Sequence, residues 1–171
     1  MAETNNHVQP KSLEEYSQLQ QNNAEFAGLD KELGDNLTIF VHGTNSSPKD
    51  ADQAFINEIA KTYHEKVIQF DWSGQDGAAK GDGAYNSTTA RSNAASRLSA
   101  YIENYPFKEG EKLNIATHSH GGNAGKAFTN LYEGNKKVDT MVFLGVPVRD
   151  DYPINYKVFD KNAKILNVYD S

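Results

Sequence analysis

The chain has 171 residues, with 17 Lys and Arg against 23 Asp and Glu for a net charge of −6. That size suits one domain of roughly 100–200 residues, and that charge disfavours a nonspecific binder of nucleic acid or of an anionic membrane. No apolar run approaches the roughly 18 residues of a membrane span, Met1-Ala2-Glu3-Thr4-Asn5-Asn6 lacks the basic and apolar parts of a signal peptide, and the absence of cysteine excludes a disulfide frame, a thiolate nucleophile and a zinc–thiolate site.

Residues 1–36 are polar and hold most of the acid excess: Glu3, Glu14, Glu15, Glu25, Asp30, Glu32 and Asp35 are balanced only by Lys11 and Lys31. The chain therefore divides into an acidic N-terminal segment, 1–36, and a nearly neutral domain, 37–171. In the segment, Leu13, Tyr16 and Leu19 give a thin apolar stripe that suits a helix lying on the domain. From Asn36 onward, strand and helix patterns alternate. Leu37-Thr38-Ile39-Phe40-Val41 reads as a strand buried on both faces. Ser47 and Pro48 open a helix as N-cap and first helical residue, and Phe55, Ile56, Ile59, Ala60 and Tyr63 recur at helical spacing. Val67–Phe70 is the next strand, and a glycine-punctuated loop follows over Ser73–Tyr85. Ala90, Ala94, Ala95, Leu98, Tyr101 and Ile102 line one face of a helix stopped by Pro106 and Gly110. Leu113–Ala116 is a third strand, and the helix after it carries Ala124, Ala127, Phe128, Leu131 and Tyr132 up to Gly134-Asn135. Strands over Val138–Leu144 and Ala163–Tyr169 complete the set. Five strands with three intervening helices predict an α/β fold, a mostly parallel sheet with flanking helices, because parallel neighbours need crossover connections.

In such sheets the sites lie beyond the carboxyl ends of the strands. Two of these ends stand out, Val41-His42-Gly43-Thr44 after the first strand and Thr117-His118-Ser119-His120-Gly121-Gly122 after the third. The second fits a nucleophile elbow, in which a serine on a sharp strand-to-helix turn meets the free N–H groups of a helix start. A strained serine backbone demands small flanks. Gly121 and Gly122 meet that demand on the helix side, whereas Thr117 stands where the usual pattern has glycine. His118 and His120 form a His-x-His pair with no third ligand at metal spacing. Gly121, Gly122 and Gly125 match no phosphate-binding fingerprint. Neither a metal nor a cofactor is expected. His42 suits a residue that holds its turn, Asp71 a turn-former and His64 a surface residue, while the 73–85 loop could act as a lid.

Taken together, Phe40-Val41-His42-Gly43-Thr44, Phe70-Asp71-Trp72-Ser73, His118-Ser119-His120-Gly121-Gly122 and Leu144-Gly145-Val146-Pro147 resemble the α/β-hydrolase family, within it the lipase- and esterase-like members. The flow of these motifs is similar to hydrolase domains of bacterial polymorphic toxins. The resemblance covers residues 36–171 and aligns the five strands with the third to seventh of the family sheet, so the last strand and helix have no counterpart. It implies Ser119 as nucleophile and the N–H groups of Thr44 and His120 as oxyanion hole; Trp72, beside the glycine-rich loop, reads equally as a wall of the substrate pocket and as a core or rim aromatic. The resemblance implies Asp170 as the orienting acid, with Asp150 and Asp151 as substitutes after the preceding strand. The family's histidine base has no counterpart. Only His120 follows Ser119, His118 and His120 are expected to diverge from its hydroxyl, and His42 is the in-chain substitute.

The resemblance thus implies a serine hydrolase of carboxylic esters, with an ester or lipid as substrate. A toxin setting adds an immunity protein or complementing chain as partner, and cytoplasmic location or export through a specialised secretion system. The strand at 163–169 would be a bare sheet edge open to self-association. The competing reading, supported by the missing base, is a hydrolase-like binding module without turnover.

Overall fold

The computed structural model describes residues 36–44, 56, 57, 60, 66–70, 72, 87–147 and 149–169. The N-terminal segment, most of the helix expected over 47–63, the 73–85 loop, Asp71, His64 and Asp170 lie outside the described residues. Five parallel strands form one sheet: β1 (Leu37–Val41), β2 (Lys66–Phe70), β3 (Leu113–His118), β4 (Val138–Leu144) and β5 (Phe159–Val168), in the order β2-β1-β3-β4-β5. The described residues include the α-helices α1 (Thr88–Asn104) and α2 (Gly121–Leu131) and a 3-10 turn over Tyr156–Val158. The α/β architecture expected from the sequence is the one observed.

The apolar run of β1 is explained by its neighbours. It pairs with β2 on one side and β3 on the other, and both of its faces are covered. Leu37, Ile39 and Val41 join the core shared with α1 and α2, including Leu98, Ile102 and Phe128. Phe40 turns to the opposite face, where Ile56, Ala60, Val67 and Ala116 close a second core. A strand buried on both faces has no polar side to alternate with.

Local chemistry sets the helix ends. The Ser87 hydroxyl accepts the N–H of Ala90 at 3.0 Å, capping α1. Tyr105, extended before Pro106, ends it. The α2 helix begins directly after β3 with His120 at its N-cap and no side-chain cap.

One strand begins earlier than its pattern predicts. β5 starts at Phe159 rather than Ala163, because a bulge carries the chain from the Val138–Phe159 pair to the Thr140–Lys164 pair. Within it, the Asp160 carboxylate accepts the N–H of Asn162 at 2.8 Å. The Asp-Lys-Asn run reads as loop, yet a side-chain acceptor lets the strand continue through it.

Candidate active site

Ser119 has φ +50, and it is the one non-glycine residue at positive φ among those described. This left-handed conformation costs a non-glycine residue about 1–3 kcal/mol, so it persists only where the surroundings impose it. The constraints are visible on both sides. The Ser119 N–H donates to Leu144 O at 2.9 Å, prolonging the β3–β4 ladder by one bond, and Ser119 O accepts the N–H of Gly122 at 3.0 Å as α2 begins. The serine is thus tied to the sheet through its nitrogen and to the helix through its carbonyl.

The helix can start there because its first residue has no side chain. A Cβ at Gly121 would lie 2.2 Å from His42 O and 2.6 Å from Val41 O, so the end of α2 presses on the turn after β1. On the strand side, Thr117 is buried and bonds Val142 O through its hydroxyl at 3.0 Å. The room for its methyl is supplied from the helix, since a Cβ at Gly125 would stand 3.0 Å from Thr117 Cγ2 and 2.8 Å from Met141 Cε. Gly125 therefore offsets the threonine that replaces the usual glycine.

The turn carrying Thr44 lies against the serine. A Cβ at Gly43 would meet Ser119 Cβ at 3.1 Å and His118 Nδ1 at 3.3 Å. No turn or cap hydrogen bond among the described residues uses the N–H of Thr44 or of His120. Both sequence-expected donors belong to segments that converge on the Ser119 turn, at the positive end of α2. His118 is exposed at the end of β3, with its ring beside the same glycine that touches Ser119.

His42 is 2% exposed and held from two sides. Its Nδ1–H suits donation to Gly43 O at 2.8 Å, and its Nε2 then accepts the Trp72 N–H at 3.4 Å. The Trp72 indole N–H donates to His42 O at 2.7 Å, and the two rings stack at 5.9 Å. Trp72, itself 1% exposed, stands behind the turn as a buttress. Both imidazole nitrogens are engaged in holding the turn after β1, which suits a positioning residue better than a proton acceptor. Of the sequence-expected acids, Asp150 is exposed. Asp151 is gripped by Arg149 through Nε and Nη2 at 2.9 and 2.7 Å, and that bonding holds its carboxyl below the ordinary range. Asp170 lies outside the described residues.

Three residues beside the elbow escaped sequence reasoning. Arg91, 1% exposed, donates from Nε to the Tyr152 hydroxyl at 2.9 Å and lies 4.9 Å over its ring. Arg149 lies 5.6 Å over the same ring. Burial, followed by the charges of Arg91 and Arg149, lowers the pKa of His120 below the ordinary histidine value and keeps the ring neutral near pH 7. Asn123, on the first turn of α2, is fully buried, and neither of its amide atoms has a partner. A signal existed for Arg91. It occupies the apolar stripe of α1 three residues before Ala94, where a charge demands a partner.

A scan against protein-family models and a search of curated proteins found no match to the chain. Among solved structures, the chain is similar to a candidate hydrolase of the alpha/beta superfamily from Xanthomonas campestris pv. campestris. The identity is 14%, the match covers 79% of this chain and 87% of that one, and the TM-score is 0.52. The fold of this chain is α/β-hydrolase-like.

Proposed function

We propose that the chain is a serine hydrolase of carboxylic esters with Ser119 as its nucleophile. The observation that carries this reading is the φ of +50 at Ser119, strain placed at a serine between a strand end and a helix start. In this reading the Ser119 hydroxyl attacks the ester carbonyl, and the oxyanion that forms is held by the N–H groups of His120 and Thr44. The serine proton passes to a base and then to the departing alcohol, and water attacks the acyl-enzyme to regenerate the serine. The engaged nitrogens of His42 favour His118, exposed and beside the same glycine as Ser119, as the in-chain proton acceptor. The sequence resemblance alone supports a lipid ester as substrate and a toxin setting with an immunity protein.

The engaged His42 also favours a second reading, a binding module without turnover. A fluorophosphonate probe separates the two, because it reacts with a serine only where the hydroxyl is activated. Labelling of the Ser119 peptide, lost in Ser119→Ala and weakened in His118→Ala, is the expected result. A chain that stays unlabelled while folded belongs to the second reading.

A further inference from the structure

We propose that Arg91, Arg149, Tyr152 and Asn123 form a recognition site for an anionic group, so that the preferred ester carries a carboxylate or phosphate close to its scissile bond. The proposal rests on the serine-hydrolase reading.

The chain after β4 wraps around the start of α2. Leu144 O accepts the Ser119 N–H, and Val146 packs on Gly122, where a Cβ would lie 2.2 Å from its methyl. Pro153 O accepts from Asn130 Nδ2 at 2.7 Å, and the Asn155 N–H donates to Thr129 Oγ1 at 3.0 Å. Between these anchors Tyr152 reaches across to Arg91 on α1. The segment therefore lies along one flank of α2, over Gly122, Thr129 and Asn130. Helical spacing puts Asn123 on the Asn130 side of α2, two turns earlier under the same segment, with His120 three residues before it.

What the segment covers is polar and cationic. Two guanidiniums flank one ring, and the positive end of α2 points the same way. The Asn123 amide and His120 Nδ1 are buried without partners, where a protein ordinarily satisfies such groups. The effect of both arginines on His120 places their charge beside the residue that follows the nucleophile. Among the described residues the facing acid is Asp151, already bonded to Arg149, and Asp150 is exposed. Arg149 keeps a third of its side chain in solvent and forms the entry. An anionic oxygen arriving there exchanges with the Asp151 carboxylate and meets donors set for bidentate recognition.

The test uses the full chain as Ser119→Ala, titrated with monomethyl succinate, methyl butyrate and inorganic phosphate while the amide resonances of Gly121, Gly122 and Asn123 are followed. Monomethyl succinate should bind at least about tenfold more tightly than its neutral counterpart, as hydrogen bonds to a charged group allow. Competition by phosphate at the same resonances shows that either oxyanion fits, and its absence assigns the site to carboxylates. Arg149→Gln, at a half-buried side chain, should abolish the preference while the amide spectrum of the Ser119→Ala chain outside the site stays unchanged. Asp151→Asn should strengthen it, which a merely structural ion pair would not do. Equal binding of the charged and neutral esters overturns the proposal and leaves the buried amide to an ordered water. In the wild type, kcat/KM for the p-nitrophenyl monoester of succinate over that for p-nitrophenyl butyrate reads the same preference. Charged-ester binding with no Ser119-dependent turnover keeps the anion site and sinks the hydrolase reading.

Discussion

β1 and β5 run parallel in the same sheet, but they are built to different tolerances. Every residue of β1 is buried, and the turn after it admits only the bare backbone of Gly121. β5 pairs on one side only among the described strands and leaves Leu166 and Val168 half exposed, at 49% and 51%. The candidate chemistry belongs to the tight centre. A strained serine can be held there because neighbours on both sides leave it no relaxed alternative, whereas the edge has no such constraint to lend.

Four changes test that contrast. The largest effect should come from Ser119→Gly, which removes the proposed nucleophile and relieves the backbone together. Esterase activity should fall at least about 10³-fold, while urea denaturation shows stability rising by about 1 kcal/mol. A loss of stability instead would mean that the serine side chain, and not its strain, governs the turn. Gly121→Ala should be next. Its methyl has no room against a backbone carbonyl, and a loss of about 3 kcal/mol in the same measurement is expected. Gly125→Ala should cost about 1–3 kcal/mol alone and substantially less beside Thr117→Gly, since the two residues share one space. Additive losses would show that the facing glycine does not compensate for the threonine. Leu166→Lys on β5 should change stability by less than about 0.5 kcal/mol. A large loss there would make the edge as constrained as the centre.

Much of this was legible in the residues. β1 and β3 are apolar runs that alternate with helical spacing, and the Ser119 segment pairs a strand end with two glycines. The pattern failed where the answer depended on which residues face one another. Thr117 looked crowded until the fold set Gly125 opposite it, eight residues later in the chain. Trp72 read equally as pocket wall and as core or rim aromatic, and only the fold brings its indole N–H to the His42 carbonyl. The first part of β5 looked like loop because Asp160 and Asn162 are turn formers, and here they make a bulge inside the strand. Arg91 did carry a one-dimensional signal, a charge in an apolar stripe, although its partner Tyr152 lies 61 residues away.

The order β2-β1-β3 also bears on how the chain is made. β1 is the earliest described strand to leave the ribosome, yet it ends in the interior of the sheet. Its partner β3 trails by 76 residues, the span closed by the Lys112 N–H to the Asn36 side chain. At synthesis rates of about 5–20 residues per second, β1 waits roughly 4–15 s for that neighbour. Throughout this interval Leu37-Thr38-Ile39-Phe40-Val41 is an uncharged, β-prone stretch with an unclaimed edge, the kind of segment that nascent-chain chaperones shield. The same apolar continuity that later holds the elbow rigid is, during translation, the point at which the newborn chain is most exposed to misassembly.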